Sequence, residues 1–259
     1  MAVYDTEENG RSKMTRETLN TLEGTVDFSK HVLMISDNGS CPETHTLYRE
    51  YDHIISHIIF NGENIGTANA LNKVWRLRQP YHECLVKIDN DVVIHSPGWL
   101  DLIEEVFRRD PKIGICGSKR KDLEERPDHQ VSWFKSRLRM LPHGAGERWL
   151  VSLLVEECYH IMGTCQAYSK TLLDKIGYLY QPSVYGFDDS LASLRAHIAG
   201  FKTVFLYAAI EIDHIDPGGT EFTEWKKEHA GEQMEAYYKA RDKYKSGEWD
   251  VYFNGGFGG

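Results

Sequence analysis

The chain has 259 residues, 41% of them hydrophobic and 27% charged, the ordinary balance of a soluble globular protein with enough length to bury one large core. Its net charge of −9 excludes a surface that grips nucleic acid everywhere and leaves room only for a local basic groove. No apolar run approaches the ~18–20 residues that span a bilayer, and MAVYDTEENG has neither a basic n-region nor an apolar h-region, so no signal peptide and a cytoplasmic location are expected.

Along the chain, Ala2–Tyr4 is a very short strand candidate and Thr15–Leu22 has helical spacing. His31–Ser36 is a β-rich run that ends in the turn signal Asp37-Asn38-Gly39-Ser40. A helix over Glu43–Tyr51, a strand over His57–Phe60 and a helix over Ala68–Leu77 follow. Leu85–Ile88 leads into Asp89-Asn90-Asp91; Leu100–Arg108 is an amphipathic helix and Ile113–Cys116 a further strand. Strands alternating with helices imply βαβ units, and ligands of such sheets sit beyond the carboxyl ends of the strands. Asp5, Asp37 and Asp89 each follow a strand candidate, so three carboxylates are expected on one rim. Residues 119–150 read as a long irregular, basic excursion over the active face. A strand within Ile161–Tyr168, helices over Thr171–Ile176 and Ser190–Ala199, a strand over Thr203–Tyr207 and a mixed-charge helix over Glu221–Lys245 complete the pattern, with VYFNGGFGG as a strand or tail. The five cysteines form no CxxC pair and are odd in number, so they read as reduced, mostly buried thiols.

The sharpest chemical signal is Asp89-Asn90-Asp91 after an apolar strand. In extended backbone, side chains at i and i+2 point the same way, so both carboxylates can reach one hard cation. Mg²⁺ and Mn²⁺ take oxygen ligands and bind through one or two carboxylates plus substrate phosphates. A polar turn, built from common turn formers, is the bland alternative.

The order of motifs resembles the family 2 glycosyltransferases of the GT-A fold. The residues that carry the resemblance are Ser36-Asp37-Asn38-Gly39-Ser40, the stretch Asn64-Ile65-Gly66-Thr67-Ala68-Asn69-Ala70-Leu71-Asn72, the DxD motif at Asp89–Asp91, and Gly186-Phe187-Asp188-Asp189-Ser190-Leu191-Ala192-Ser193-Leu194-Arg195. It extends over roughly residues 3 to 215. The resemblance implies an α/β fold: one Rossmann-like GT-A domain over residues 1–220 with a mostly parallel central sheet and helices on both faces. Residues 1–117 would bind the nucleotide sugar and 118–220 the acceptor, with a C-terminal helix and tail over 221–259 packed on the same domain. It further implies that Asp37 accepts hydrogen bonds from the nucleotide base and that Asn64, Gly66 and Asn72 line the donor pocket, where Gly66 lets the backbone approach. Caps and a helix start are the alternative for that segment. Asp91 is the first choice for direct metal ligation, with Asp89 on the ribose or a metal-bound water and Asn90 among the donor contacts. His214, in Ile212-Asp213-His214-Ile215-Asp216, takes the place of a late metal-ligating histidine. Mn²⁺ or Mg²⁺ is the implied cofactor. Asp189 would be the base of an inverting transfer and Asp188 its partner, since neighbouring carboxylates repel and one becomes the stronger base. A helix N-terminus with a dipole partner is the competing explanation.

Two departures from the family are visible. Asp stands at 188 where Glu is common, and little chain precedes Asp5-Thr6, so Thr6 and Arg11 match the nucleotide-contacting segment only loosely. The expected donor is a UDP-sugar and the acceptor a glycan or polysaccharide. The basic excursion raises a second acceptor, hydroxymethylated bases of viral DNA, with Lys135, Arg137 and Arg139 on phosphates and Trp133 and Phe134 for stacking. A sugar nucleotidyltransferase would need a Gly-rich triphosphate loop, and Glu7–Lys13 holds one glycine. A non-catalytic nucleotide-sugar-binding module would be expected to lose an acid from the metal or base site, and none is lost.

Overall fold

The computed structural model describes residues 1–120, 137–140, 153–206, 210–216 and 221–252, with side chains throughout except at 137, 138 and 221–223. The first half runs β1 (Ala2–Val3), α1 (Ser12–Thr25), β2 (Leu33–Asp37), α2 (Pro42–Glu50), β3 (Ile55–Phe60), α3 (Thr67–Trp75), β4 (Cys84–Ile88), β5 (Val92–Ile94), α4 (Trp99–Arg109) and β6 (Ile113–Gly117). The second half has β7 (Arg137–Met140), β8 (Leu154–Cys158), β9 (Cys165–Ser169), α5 (Lys170–Ile176), α6 (Asp188–Ile198), β10 (Lys202–Leu206), β11 (Ile212–His214) and α7 (Glu221–Ser246).

Among the described residues these strands form three sheets: β1-β2-β3, β4-β9-β6-β10-β8-β7, and the pair β11-β5. The expected parallel pairing holds for β1, β2 and β3 and between β6 and β10. The remaining pairs, β4–β9, β6–β9, β10–β8, β7–β8 and β5–β11, are antiparallel. The mostly parallel sheet is thereby corrected to a mixed one. An apolar run records burial and not direction, so β9, which slots between β4 and β6, reads in sequence as one more parallel strand.

Alternation along the buried strands sends side chains to two faces. Leu33, Ile35, Ile88, Ile113 and Cys116 join α1, α2 and α4 in one apolar cluster. Met34, Leu85, Ile115 and Tyr168 join α3, α5, α6 and α7 in the other. Helices therefore cover both faces. Helix α4 shows how local sequence serves this plan. Trp99, Ile103, Val106 and Phe107 recur at helical spacing and are buried, Gly98 takes a left-handed φ of 72° at the N-cap, and Asp101 and Arg108–Arg109 complement the helix dipole. Helix α7 packs Ala240 and Tyr244 into the second cluster. Among the described residues no helix is long and apolar enough to cross a membrane.

The basic segment is less irregular than its composition suggests. Arg137–Met140 is a strand paired with β8, while 121–136 and 141–152, like the tail 253–259, lie outside the described residues. Charged residues at alternate positions of Arg-Leu-Arg-Met hide a period of two inside a cationic stretch. A cleft of about 300 Å³ runs along β4, among Met34, Trp75, Leu85, Val86, Ile88 and Trp99.

Candidate active site

The DxD turn leaves β4 at Ile88, and its three residues take three different roles. Asp89 is held by its N–H on the carbonyl of Thr164, 3.1 Å away, and its side chain is half-buried. Asn90 turns inward, where its Nδ2 donates to Asp5 Oδ1 at 2.8 Å and Thr15 Oγ1 at 2.7 Å. Asp91 is 5% exposed. Pairing of β11 with β5 sets His214 opposite Val92, and Ile215 N donates to the carbonyl of Asp91 at 2.9 Å. This brings His214 Nε2 to 3.2 Å from Asp91 Oδ2. Arg11 bridges the same oxygen at 2.5 Å and Asp216 Oδ2 at 3.1 Å.

The electrostatics follow from this packing. Burial would raise the Asp91 carboxyl, but the hydrogen bond and charge of His214 and the guanidinium of Arg11 outweigh it and hold the group well below the usual carboxylate range. Its neighbour goes the other way. Desolvation, opposed by Lys87 and reinforced by Asp91 and Asp188, pushes Asp89 up to about 7. Asp91 Oδ1 is buried and has no hydrogen-bond partner among the described residues.

The acid pair opens α6 and lies against the same turn. Phe187, its N-cap, is the non-glycine residue with a left-handed φ, 64°, among the described residues, and its ring stacks on Tyr237 at 4.6 Å. Such a backbone is costly for a side-chain-bearing residue and recurs at functional sites. Asp188 is buried and its Oδ2 is 2.7 Å from Lys87 Nζ; Lys87 is in turn 4.0 Å from Asp89 Oδ1. Asp189 Oδ2 accepts from Gly163 N at 2.9 Å and lies 3.6 Å from His160 Nε2. The DxD turn, His214 and the acid pair thus lie together at one end of the sheet. Lys87, Gly163, His160 and Asp216 also belong to this site and escape the sequence reading. The one visible signal was a lysine inside the apolar run Cys-Leu-Val-Lys-Ile. Arg195, further along α6, instead donates to the carbonyls of Ile176 and Tyr178 and closes the end of α5.

Several of the residues expected to contact the donor make hydrogen bonds within the fold. Asp37 is 1% exposed: its Oδ1 accepts from Gly39 N and Ser40 N at 3.0 and 2.9 Å, and its Oδ2 from Tyr48 Oη at 2.7 Å. Asp5 is likewise enclosed, accepting from Thr15, Thr44 and Asn90. The rim of three carboxylates is thus reduced to Asp89. Asn72 clamps Leu179 by both backbone groups, at 2.8 and 3.0 Å. Gly66, with φ 84°, makes room for protein: a Cβ there would lie 2.9 Å from the carbonyl oxygen of Val184. Asn64 Oδ1 accepts from Gly66 N at 3.0 Å and from Asn38 Nδ2 at 3.2 Å. Thr6 exchanges hydrogen bonds with Asn9, and Asn90 is an interior residue. The segment from Asn64 to Asn72 therefore holds the loop from Leu179 to Val184. Of the basic acceptor candidates, Trp133 and Lys135 lie outside the described residues, as does the side chain of Arg137. Arg139 is paired with Asp110 Oδ2 at 2.7 Å and lies 3.6 Å from Glu157 Oε2.

With this geometry in place, comparison decides the family. The sequence profile of glycosyl transferase family 2 matches residues 8–177. The chain belongs to that family. No curated protein matches it at the level of sequence. Among solved structures it is similar to the mannosyltransferase PcManGT from Pyrobaculum calidifontis in complex with GDP-Man and Mn²⁺, with 18% identity and a TM-score of 0.63 over 92% of this chain and 63% of that one. It is also similar to GalNAc-T7 with UDP, GalNAc and Mn²⁺, at 11% identity and a TM-score of 0.56, covering 82% of this chain and 43% of that one. S. aureus TarS 1–349 follows at 15% identity and 0.52, covering 83% and 60%. The chain therefore has the GT-A fold and spans less than two thirds of the length of each of these glycosyltransferases.

A divalent cation fits a family 2 site built in this way. Asp91 keeps a buried carboxylate oxygen without a hydrogen bond among the described residues, and His214 stands beside the same carboxylate. Among the described residues no three His, Cys, Asp or Glu groups close a metal site by themselves.

Proposed function

We propose that the protein is a metal-dependent, inverting glycosyltransferase that moves a sugar from a nucleotide-diphosphate-sugar to an acceptor hydroxyl. The observation that carries the reading is Asp91: a buried carboxylate held anionic by His214 and Arg11, one oxygen unengaged, next to an acid pair that opens a helix. Asp91 and His214, with Asp89 beside them, would hold the cation, which supplies neutralisation of the diphosphate leaving group. Arg11, tied to both Asp91 and Asp216, adds a fixed positive charge at that end of the donor. The exposed ring of Phe60, 5.1 Å from His45, offers the nucleotide base a face to stack on in place of Asp37.

Asp189 is the proton acceptor. Its Oδ2 is oriented by the N–H of Gly163. As the acceptor oxygen bonds to the anomeric carbon, its proton passes to Asp189 and the carbon–phosphate-oxygen bond breaks, releasing the nucleoside diphosphate. Attack opposite the leaving group inverts the anomeric centre. Both GDP- and UDP-linked sugars occur in structures of this fold, and a glycan hydroxyl is the acceptor class proposed.

The test is release of nucleoside diphosphate from a panel of UDP- and GDP-sugars with Mn²⁺ or with a chelator. Turnover is expected with the metal alone. Asp91→Asn and Asp189→Asn are each expected to lower it by about 100-fold or more. Turnover that survives chelation, or that Asp91→Asn leaves intact, refutes the reading.

A further inference from the structure

A buried charge occupies the seam between the DxD turn and the acid pair. Lys87 stands on β4 two residues before Asp89, on the strand face shared with Leu85, and is 4% exposed. Its ammonium is 2.7 Å from Asp188 Oδ2 and 4.0 Å from Asp89 Oδ1. The space around it is matched to its size. A Cβ on Gly163 would come within 2.6 Å of Nζ, while the N–H of the same glycine holds Asp189 Oδ2 at 2.9 Å. One ammonium thus pairs with the first acid of α6, faces the DxD turn and packs under the glycine that orients the second acid.

Stability gives no reason for this pair. Two apolar side chains of similar volume serve a fold as well as a buried ion pair or better, whereas removing one partner alone is strongly destabilising. A helix N-terminus would also favour Asp188 without any lysine. We propose that Lys87 is a positioning residue for the transfer: by pairing with Asp188 it ties the first turn of α6 to β4 and leaves Asp189 as the proton acceptor, aimed across the DxD turn. Asp188 is then the anchor of the helix and takes no proton from the acceptor. The inference rests on the glycosyltransferase reading above.

The decisive variant is Lys87→Met/Asp188→Leu, which removes the pair without stranding either charge. It is expected to unfold cooperatively near the wild-type temperature and to bind UDP with Mn²⁺ within about twofold of wild type. Its kcat for Mn²⁺-dependent turnover is expected to fall about 100-fold with donor KM little changed, the loss that a misplacement of about 1 Å produces. A double variant with wild-type kcat, or one that changes donor KM alone, overturns the proposal. If the double variant does not fold, Gly163→Ala keeps both charges and the N–H but displaces the ammonium. A fall in kcat of about tenfold or more at unchanged donor KM then supports the proposal, and an unchanged kcat overturns it. A wild-type protein without metal-dependent turnover overturns the underlying reading and this inference with it. An active wild type with an active double variant overturns this inference alone.

Discussion

The cysteines show how burial and hydrogen bonding separate residues of one type. Burial pushes the thiols of Cys84, Cys158 and Cys165 up to about 12, and that of Cys116 further still. At Cys41, the N-cap of α2, burial acts in the same direction but hydrogen bonds from Ser12 and the Thr44 region outweigh it, and the thiol is lowered. A lowered value means more thiolate at a given pH, and thiolate is the reactive form. At pH 8, a disulfide reagent is expected to label Cys41 in a fast phase and the buried Cys116, Cys158 and Cys165 only on unfolding. Cys41→Ser should abolish the fast phase. A fast phase that persists in that variant contradicts the assignment.

Among the elements, the loop between α5 and α6 is held by side chains that looked like ligand contacts. Asn72 on α3 satisfies both the N–H and the carbonyl of Leu179, and Leu179 is buried. Asn72→Ala leaves two interior backbone groups without partners, an expected loss of about 1–3 kcal/mol in urea unfolding. The same loop carries Val184, whose carbonyl rests against Gly66, and leads into the strained Phe187 and the acid pair. The variant should therefore also lower kcat more than it raises donor KM, because the clamp acts on the acid pair's approach and not on the donor. A donor KM that rises while stability is unchanged would return Asn72 to the donor pocket.

At the scale of the whole molecule, the proposed site joins both halves of the chain through β5–β11 pairing and the contact of β4 with α6. In that proposed site cation and nucleotide would complete each other's coordination, so their stabilisation would be linked. UDP or GDP at about 100 times its Kd in the presence of Mn²⁺ is expected to stabilise the fold by about 2.7 kcal/mol. Nucleotide with a chelator, or Mn²⁺ alone, should shift Tm far less. Equal shifts with and without the metal would separate cation from nucleotide and remove the shared site.

The sequence by itself determined the alternation of helices and strands, the two-sided burial and the order of acidic motifs, because periodicity and turn residues act over a few positions. Through the resemblance to family 2 it placed Asp91, His214, Asp188 and Asp189 within one reading, although they lie on distant stretches of the chain. Strand direction, and the fate of each polar side chain, were decided only by the tertiary structure. Which partner a polar side chain takes is settled by what stands within about 3 Å, and beside Asp37, Asn72 and Asn90 stand the protein's own Tyr48, Leu179 and Asp5. Lys87 reads as a misplaced charge in an apolar strand until α6 supplies Asp188, a neighbour 101 residues away that no local pattern could announce.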